Sequence, residues 1–227
     1  MKCVLFVIFL SVMPFASEAQ INELGIFVGG ANYVGDVGPT DYVAPNELAV
    51  GIIYKWNRSP RHSWRASFTY ANISSSDLDS DVSGRKERGY EFENTIKELS
   101  AGMEFNFFEF NLHEPDFKIT PYIYGGFSYF WYDESYINTL NGKTDRGDAV
   151  GGMAIPMTVG IKAHLFGNLI LGFEAGARYA FTDNLDGSNN SDYPQFKFGN
   201  LESDDWYVFT GFTLTYTFGI SPCYCAE

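Results

Sequence analysis

The chain is short of basic residues and of the residue types that most often carry chemistry. Its 227 residues include 15 Lys and Arg against 28 Asp and Glu, with only three histidines and three cysteines, and the formal net charge is -13. An acidic chain is a poor partner for nucleic acid, because phosphate contacts need a surplus of positive side chains. No linker rich in Pro, Gly or Ser divides the sequence, so we expect one folding unit.

Long apolar runs are also missing after the N-terminus. A membrane-spanning helix needs about 20 predominantly apolar residues. The longest later apolar region, residues 149–177, is interrupted by Pro156, Lys162 and His164 and contains several glycines. This pattern excludes a bilayer helix from that region.

The first residues are typical of a secretory signal. Lys2 precedes an apolar stretch over residues 3–15, and small residues stand before a cleavage point ahead of Gln20. We therefore predict a signal peptide over residues 1–19, which is removed on export.

Alternation of apolar with small or polar residues dominates the rest of the chain. It predicts eight strands of about ten residues each, at 23–33, 47–57, 63–73, 96–107, 119–132, 153–164, 169–181 and 206–218. The joins between them are alternately short and long, as in outer-membrane barrels, whose short turns face the periplasm. We predict an all-β fold: an eight-stranded antiparallel transmembrane outer-membrane β-barrel over residues 20–218, with a periplasmic tail at 219–227.

The tryptophans favour this barrel over a soluble β-sandwich, which would show the same period. In the last strand the predicted lipid face carries Val208, Phe212, Leu214, Tyr216 and Phe218. All four tryptophans fall at strand ends, as two pairs: Trp56 with Trp64, and Trp131 with Trp206. Aromatic girdles at the two membrane surfaces have this placement.

The inward positions of the strands carry four acids and four bases. They are Glu23, Lys55, Arg65, Glu98, Glu104, Lys162, Glu174 and Arg178. Buried charges must be paired, and eight strands leave a lumen that side chains fill. We interpret this set as a neutralised plug that makes the barrel rigid, in preference to a transport pathway.

The motif signals for a catalytic or metal-binding site are weak, so we expect neither an enzyme nor a cofactor. The three histidines, His62, His113 and His164, fall at or beside short turns and are predicted to be solvated. Asp77, Asp79 and Asp81 begin like a calcium loop, but Val82 and Arg88 stand where glycine and glutamate are required. We predict a solvated acidic loop there that could bind divalent ions weakly.

Two further features stay open. Cys223 and Cys225 form a Cys-x-Cys in the tail, which is compatible with a disulfide, a metal ligand pair or a partner-directed thiol. The last long loop is acidic, which is compatible with a display function or with an ordinary solvated barrel rim; its acids are Asp183, Asp186, Asp192, Glu202, Asp204 and Asp205.

Several runs resemble a family of small barrels that includes PorG of the Bacteroidota type IX secretion system. These runs are 23–36, 54–66, 98–106 and 121–127, which read ELGIFVGGANYVGD, YKWNRSPRHSWRA, ELSAGMEFN and PYIYGGF. The resemblance implies an outer-membrane subunit associated with a periplasmic ring made of the PorK lipoprotein and PorN. The runs are strand and turn patterns and contain no catalytic motif.

The resemblance predicts that partners bind at the periplasmic turns and tail. The candidate contact residues are Arg58, Pro60, Arg61, His62, Asn111, His113, Glu114, Asp116 and Tyr224. Besides this PorK-like lipoprotein and PorN-like ring protein, the expected partner is outer-membrane lipid. The alternative is a surface adhesin or loop-display barrel of the OmpX kind, whose function would lie in the acidic external loops.

Overall fold

The computed structural model describes residues 21–112, 117–138, 143–190, 192, 194–200 and 202–219. It contains eight strands: β1 (Ile21–Val34), β2 (Glu47–Asn57), β3 (His62–Ser76), β4 (Glu91–Asn106), β5 (Ile119–Asn138), β6 (Lys143–Phe166), β7 (Leu169–Ala180) and β8 (Trp206–Phe218). The predicted signal peptide and nearly all of the predicted tail lie outside the described residues.

Each strand pairs antiparallel with the next, and β1 pairs with β8 to close the sheet. Glu23 of β1, for example, lies opposite Lys55 of β2 on one side and Thr217 of β8 on the other. Closure leaves no free edge within the bilayer, where an unpaired backbone group would be costly. The predicted eight-stranded antiparallel barrel is confirmed.

Strands β3 to β6 extend further beyond the membrane than the sequence indicated. The expected loop over residues 133–152 is mostly a continuation of the β5–β6 hairpin, with a register shift between Asp133 and Ser135. The end of the hairpin bends back to β4, since Lys143 forms a parallel bridge with Glu91. The alternation of apolar residues ends at the membrane surface, but backbone pairing between strands continues beyond it. The predicted loop is therefore a hairpin in the structure.

Helical structure is confined to the long-loop side. A 3-10 turn at Asp77–Asp79 and a short helix α1 (Ser83–Arg88) lie between β3 and β4, and a second 3-10 turn, Pro194–Phe196, precedes β8. Within the part of the chain that the structure describes, no helix is long and apolar enough to cross a membrane.

The outer wall of the barrel is apolar and exposed. Leu24 is 51% exposed, Val159 62% and Phe127 77%. A continuous apolar exterior around a polar interior is the reverse of a water-soluble protein, and only lipid can cover it. The protein is an outer-membrane β-barrel.

Aromatic side chains mark the ends of this wall. Trp56 and Trp64 are register partners next to the β2–β3 turn. At the opposite end the Trp131 ring contacts Tyr129 at 4.9 Å between centroids, and Trp206 contacts Tyr179 at 5.1 Å.

A loop covers part of this wall. Val208, predicted to face lipid, is only 2% exposed. Its register partner Asn32 donates hydrogen bonds from Nδ2 to the carbonyls of Asp41 and Tyr42, so the β1–β2 loop lies against the outer wall here. The prediction of lipid contact was wrong for Val208 because a loop folds back over the strand.

Candidate functional site

The lumen contains a cluster of charged side chains centred on Glu104 of β4. Lys55 of β2 approaches one carboxylate oxygen at 2.7 Å, and Lys162 of β6 approaches the other at 2.6 Å. All three side chains are at most 2% exposed. Two ammonium groups on one carboxylate leave an excess of positive charge, which the neighbouring acids offset.

Two further carboxylates complete this cluster. Glu174 accepts two hydrogen bonds from the Arg65 guanidinium, both at 2.7 Å, and one from the Tyr122 hydroxyl at 2.6 Å. Glu23 accepts hydrogen bonds from Asn57 at 2.9 Å and from Thr215 at 2.8 Å. With three acids and three bases, the cluster is neutral overall.

A second, smaller cluster lies towards the long-loop end. Arg178 pairs with Glu98 at 3.3 Å, and the Tyr207 hydroxyl donates to the same carboxylate at 2.7 Å. The Arg178 guanidinium also lies 4.3 Å from the centroid of the Phe209 ring. The structure thus places all eight predicted plug residues inside the barrel, buried and interspersed by sign. Their contacts link side chains of β2, β3, β4, β6 and β7 across the lumen.

The end of the barrel that carries the short turns forms a second candidate site, which we call the short-turn rim (residues 58–62, 107–112 and 117–118). Its two main turns are joined: the Phe110 amide donates to the Pro60 carbonyl at 3.0 Å. The Arg61 guanidinium donates to the Phe107 carbonyl at 2.8 Å and pairs with Glu109 at 3.4 Å. The turns therefore form one connected platform.

Several side chains of this platform face outwards. Arg58, Arg61 and His62 are exposed, whereas Pro60 and Asn111 are partly buried. The remaining predicted contact residues, His113, Glu114, Asp116 and Tyr224, lie outside the described residues, as do Cys223 and Cys225. Three further aromatic residues of the rim, Phe107, Phe108 and Phe117, are exposed and were not predicted as contact residues. The adjacent Phe107-Phe108 pair at the end of a strand was the available signal.

The interior side of the short-turn rim is closed. Phe110 is only 4% exposed, and its ring lies 5.0 Å from the Lys162 ammonium. His164, predicted to be solvated, is 5% exposed, with Nε2 2.8 Å from the Gly167 carbonyl. That prediction was wrong because β6 alternation points His164 inwards, on the same face as Lys162.

On the long-loop side, Asp79 and Asp81 are exposed as predicted, but Asp77 is fully buried, so the prediction of a solvated side chain was wrong for Asp77. Its carboxylate pairs with Arg88 at 2.7 Å and accepts hydrogen bonds from the amides of Gly38 and Tyr90. Burial alone would raise the pKa of Asp77, but these hydrogen bonds outweigh it and hold the pKa below its usual value. Asp77 therefore anchors α1 to the barrel mouth.

The last long loop is also partly buried, through a cluster that we call the acid latch (Tyr33, Asp183, Asp186 and Asp205). The Tyr33 hydroxyl lies 2.5 Å from Asp205 Oδ1 and 2.7 Å from Asp186 Oδ2. A phenol has one proton, so it can donate to only one carboxylate. The second short contact requires a proton on a carboxyl group.

The pKa directions agree with this proton count. Burial, with the charge of Asp186, raises the pKa of Asp205 well above its usual value, and burial likewise raises that of Asp186. Burial and the charge of Asp186 raise the pKa of Asp183 to about 7. These three acids are buried because the loop folds into the barrel mouth, whereas Asp192 and Glu202 of the same loop are exposed. Across the described ranges, no three His, Cys, Asp or Glu side chains are placed to share a metal ion.

Comparisons with known proteins give a family and distant structural likenesses. The model of a family described as a domain of unknown function (DUF6089) matches residues 2–227. No curated protein matches the chain. The chain is similar to the crystal structure of OprG from Pseudomonas aeruginosa, with 8% identity, a TM-score of 0.45 and coverage of 88% of this chain and 96% of that one.

A second likeness is to Ail, the attachment invasion locus protein of Yersinia pestis, in complex with the heparin analogue sucrose octasulfate. Here the identity is 9%, the TM-score 0.44, and the coverage 88% of this chain and 99% of that one. A third is to neisserial surface protein A, with 9% identity, a TM-score of 0.42 and coverage of 88% and 96%. The barrel assignment itself rests on this chain's own strand pairing and outer wall.

Proposed function

The chain belongs to the DUF6089 family, and we propose that it is a non-enzymatic outer-membrane subunit of a type IX protein secretion system. In this proposal the barrel anchors a periplasmic ring, made of a PorK-like lipoprotein and a PorN-like protein, to the outer membrane. The short-turn rim is the contact surface. The observation that carries the proposal is the rim itself, where two turns are joined into a platform with outward-facing arginine, histidine and phenylalanine side chains.

The closed lumen supports an anchoring role. Buried charged side chains and Phe110 occupy the barrel from the middle to the short-turn rim, so in this proposal cargo crosses the membrane through another component. A rigid, filled barrel suits a protein that fixes a partner in position. Residues 23–36 and 54–66, which carry the resemblance to the PorG-containing family, lie in β1 and around the β2–β3 turn of this rim.

The folding of the long loops favours the anchor over the adhesin or loop-display alternative. Three acids of the last long loop, Asp183, Asp186 and Asp205, are buried in the mouth and are not presented to the exterior. Asp77 is buried in the same way. The acidic side chains on which a display function would depend are thus partly used to close the barrel.

Site-specific photocrosslinking in cells tests the proposal. Crosslinkers at Arg61, His113 and Tyr224 should capture ring components, whereas crosslinkers at Gly84 and Lys197, which lie in exposed parts of the long loops, should not. Capture only from Gly84 and Lys197 would contradict the anchor and support the adhesin alternative.

Orientation has its own test. A cysteine replacing Lys197 should react with a membrane-impermeant maleimide on intact cells, because long loops of such barrels face outwards. Labelling only after permeabilisation would show that the long loops face the periplasm. The short-turn rim would then face outwards and could not contact a periplasmic ring.

A further inference from the structure

A depression interrupts the lipid-facing wall over β2 to β5. Its floor consists of small outward-facing residues on adjacent strands, Ala66, Ala101 and Gly125, and its sides include Trp64 and Phe127. The depression has a volume of about 430 Å³, which falls in the usual range of small-molecule pockets, roughly 300–1,000 Å³. A second depression, of about 440 Å³, adjoins it over β4 to β6 and shares Gly125 with it.

This depression, which we call the groove, runs obliquely from the short-turn rim towards the middle of the wall. Ala66 is the fifth residue of β3, counted from the β2–β3 turn, whereas Phe127 is the ninth residue of β5, counted from the β4–β5 turn. Strands in such barrels tilt by about 35–45°, so the floor residues form an oblique track. The track begins beside the Trp56–Trp64 pair, where an aromatic girdle marks the membrane surface.

A positive charge lies at the membrane-surface end of this track. The Arg58 guanidinium lies 5.3 Å from the centroid of the Trp56 ring, and Trp56 is itself part of the groove lining. Arg61 is on the same turn, where its charge is shared with exposed Glu109. An apolar groove that ends at an arginine matches an acyl chain that ends at a phosphate.

We propose that this groove is a binding site for one phospholipid molecule, with an acyl chain along Ala66, Ala101 and Gly125 and its phosphate beside Arg58. The surrounding bilayer supplies the ligand. The site therefore differs from ordinary lipid contact in that it retains one lipid molecule while the other lipids exchange. With the orientation proposed above, the lipid belongs to the periplasmic leaflet. The lipid chemistry itself depends only on the groove and its arginine.

Native mass spectrometry of the full-length barrel tests the site. The probe is palmitoyl-oleoyl-phosphatidylglycerol, added to delipidated protein in detergent, with palmitoyl-oleoyl-glycerol as the matching lipid without phosphate. We expect one phosphatidylglycerol to stay bound at activation energies that remove all others. Ala101→Trp, which fills the groove, should reduce the retained fraction at least tenfold. Ala175→Trp, on the lipid-facing side of β7, should not change it.

The phosphate contact is tested separately. Arg58→Gln should weaken phosphatidylglycerol retention several-fold and leave retention of palmitoyl-oleoyl-glycerol unchanged. Because a tryptophan could disturb folding, each variant is first checked for heat-modifiable migration on gels, and Ala66→Phe serves as the second groove-filling change.

Equal retention by folded Ala101→Trp or Ala66→Phe and the unmodified protein would overturn the site. Equal retention of the two lipids would overturn the arginine–phosphate contact. Both readouts use the purified barrel, so they are independent of whether the short-turn rim binds a ring.

Discussion

Raising the pH should loosen the last long loop, because the acid latch holds a proton that the open loop releases. In the closed loop the Tyr33 hydroxyl contacts both Asp186 and Asp205, and one of these carboxyls must be protonated. Once the loop opens, both acids return to the ordinary aspartate pKa, near 4. Opening therefore releases one proton at any pH between that value and the raised pKa of the closed state.

The released proton determines the direction and size of the change in closed-loop stability with pH. A raised carboxyl pKa means that the closed loop is favoured at low pH and loses stability as the pH rises through the raised value. One proton corresponds to about 1.4 kcal/mol per pH unit, or about tenfold in the opening equilibrium. Asp183, whose pKa is raised to about 7, adds to the effect below pH 7. Asp36 also faces Asp186, and Arg88, although engaged with Asp77, interacts with it electrostatically.

Cysteine accessibility measures the opening. Leu185 is fully buried and its amide donates to Asp205 at 2.9 Å, so a cysteine at this position reacts only when the loop opens. The maleimide labelling rate of this cysteine is divided by the rate for a cysteine that replaces exposed Lys197. Thiol ionisation affects both rates, so the ratio reports the opening of the loop. At any pH above about 4 and below the raised pKa of the closed loop, this ratio should rise with pH by at least about tenfold per pH unit, and more steeply below pH 7, where Asp183 also releases a proton.

A matched variant identifies the acid. Asp186→Asn preserves the shape, with the amide nitrogen donating to Tyr33 and the oxygen accepting from the Ser188 amide as Asp186 does now. The slope of the ratio against pH should fall by about one proton, and at pH 7 the ratio should stay below that of the unmodified barrel. A flat ratio in the unmodified barrel, or an unchanged slope in Asp186→Asn, would refute the proton count.

The sequence was sufficient for the membrane-embedded part of the fold. In lipid, outward residues must be apolar whereas inward ones are free to be small or polar, so the period of two is strong; β2 and β8 begin and end where they were predicted. Beyond the membrane this constraint disappears. Strands such as β6 therefore continue for residues that the pattern assigned to loops.

The pairing of charges within the lumen could not be read from the sequence. Alternation shows that Lys55, Glu104 and Lys162 point inwards, but they lie on β2, β4 and β6, which do not pair with one another over this part of the barrel. Their contact depends on the tilt and stagger of the closed sheet, which local patterns do not encode. The same applies to Asp77 and Asp186, whose burial depends on how the long loops fold over the mouth.

Two further predictions concern the filled lumen. Purified barrel in planar bilayers should show negligible ion conductance, because side chains occupy the lumen of eight strands; a stable large conductance would contradict this. Glu104→Gln should lower the free energy of unfolding by about 3–5 kcal/mol, since Lys55 and Lys162 would both lose their buried counter-charge. Urea unfolding in lipid vesicles measures this change, with Glu109→Gln as the control. Glu109 is 71% exposed and paired only with Arg61 among the ion pairs of the described residues, so its loss should cost under about 1 kcal/mol. Equal effects of the two substitutions would show that the Glu104 cluster does not hold the barrel together.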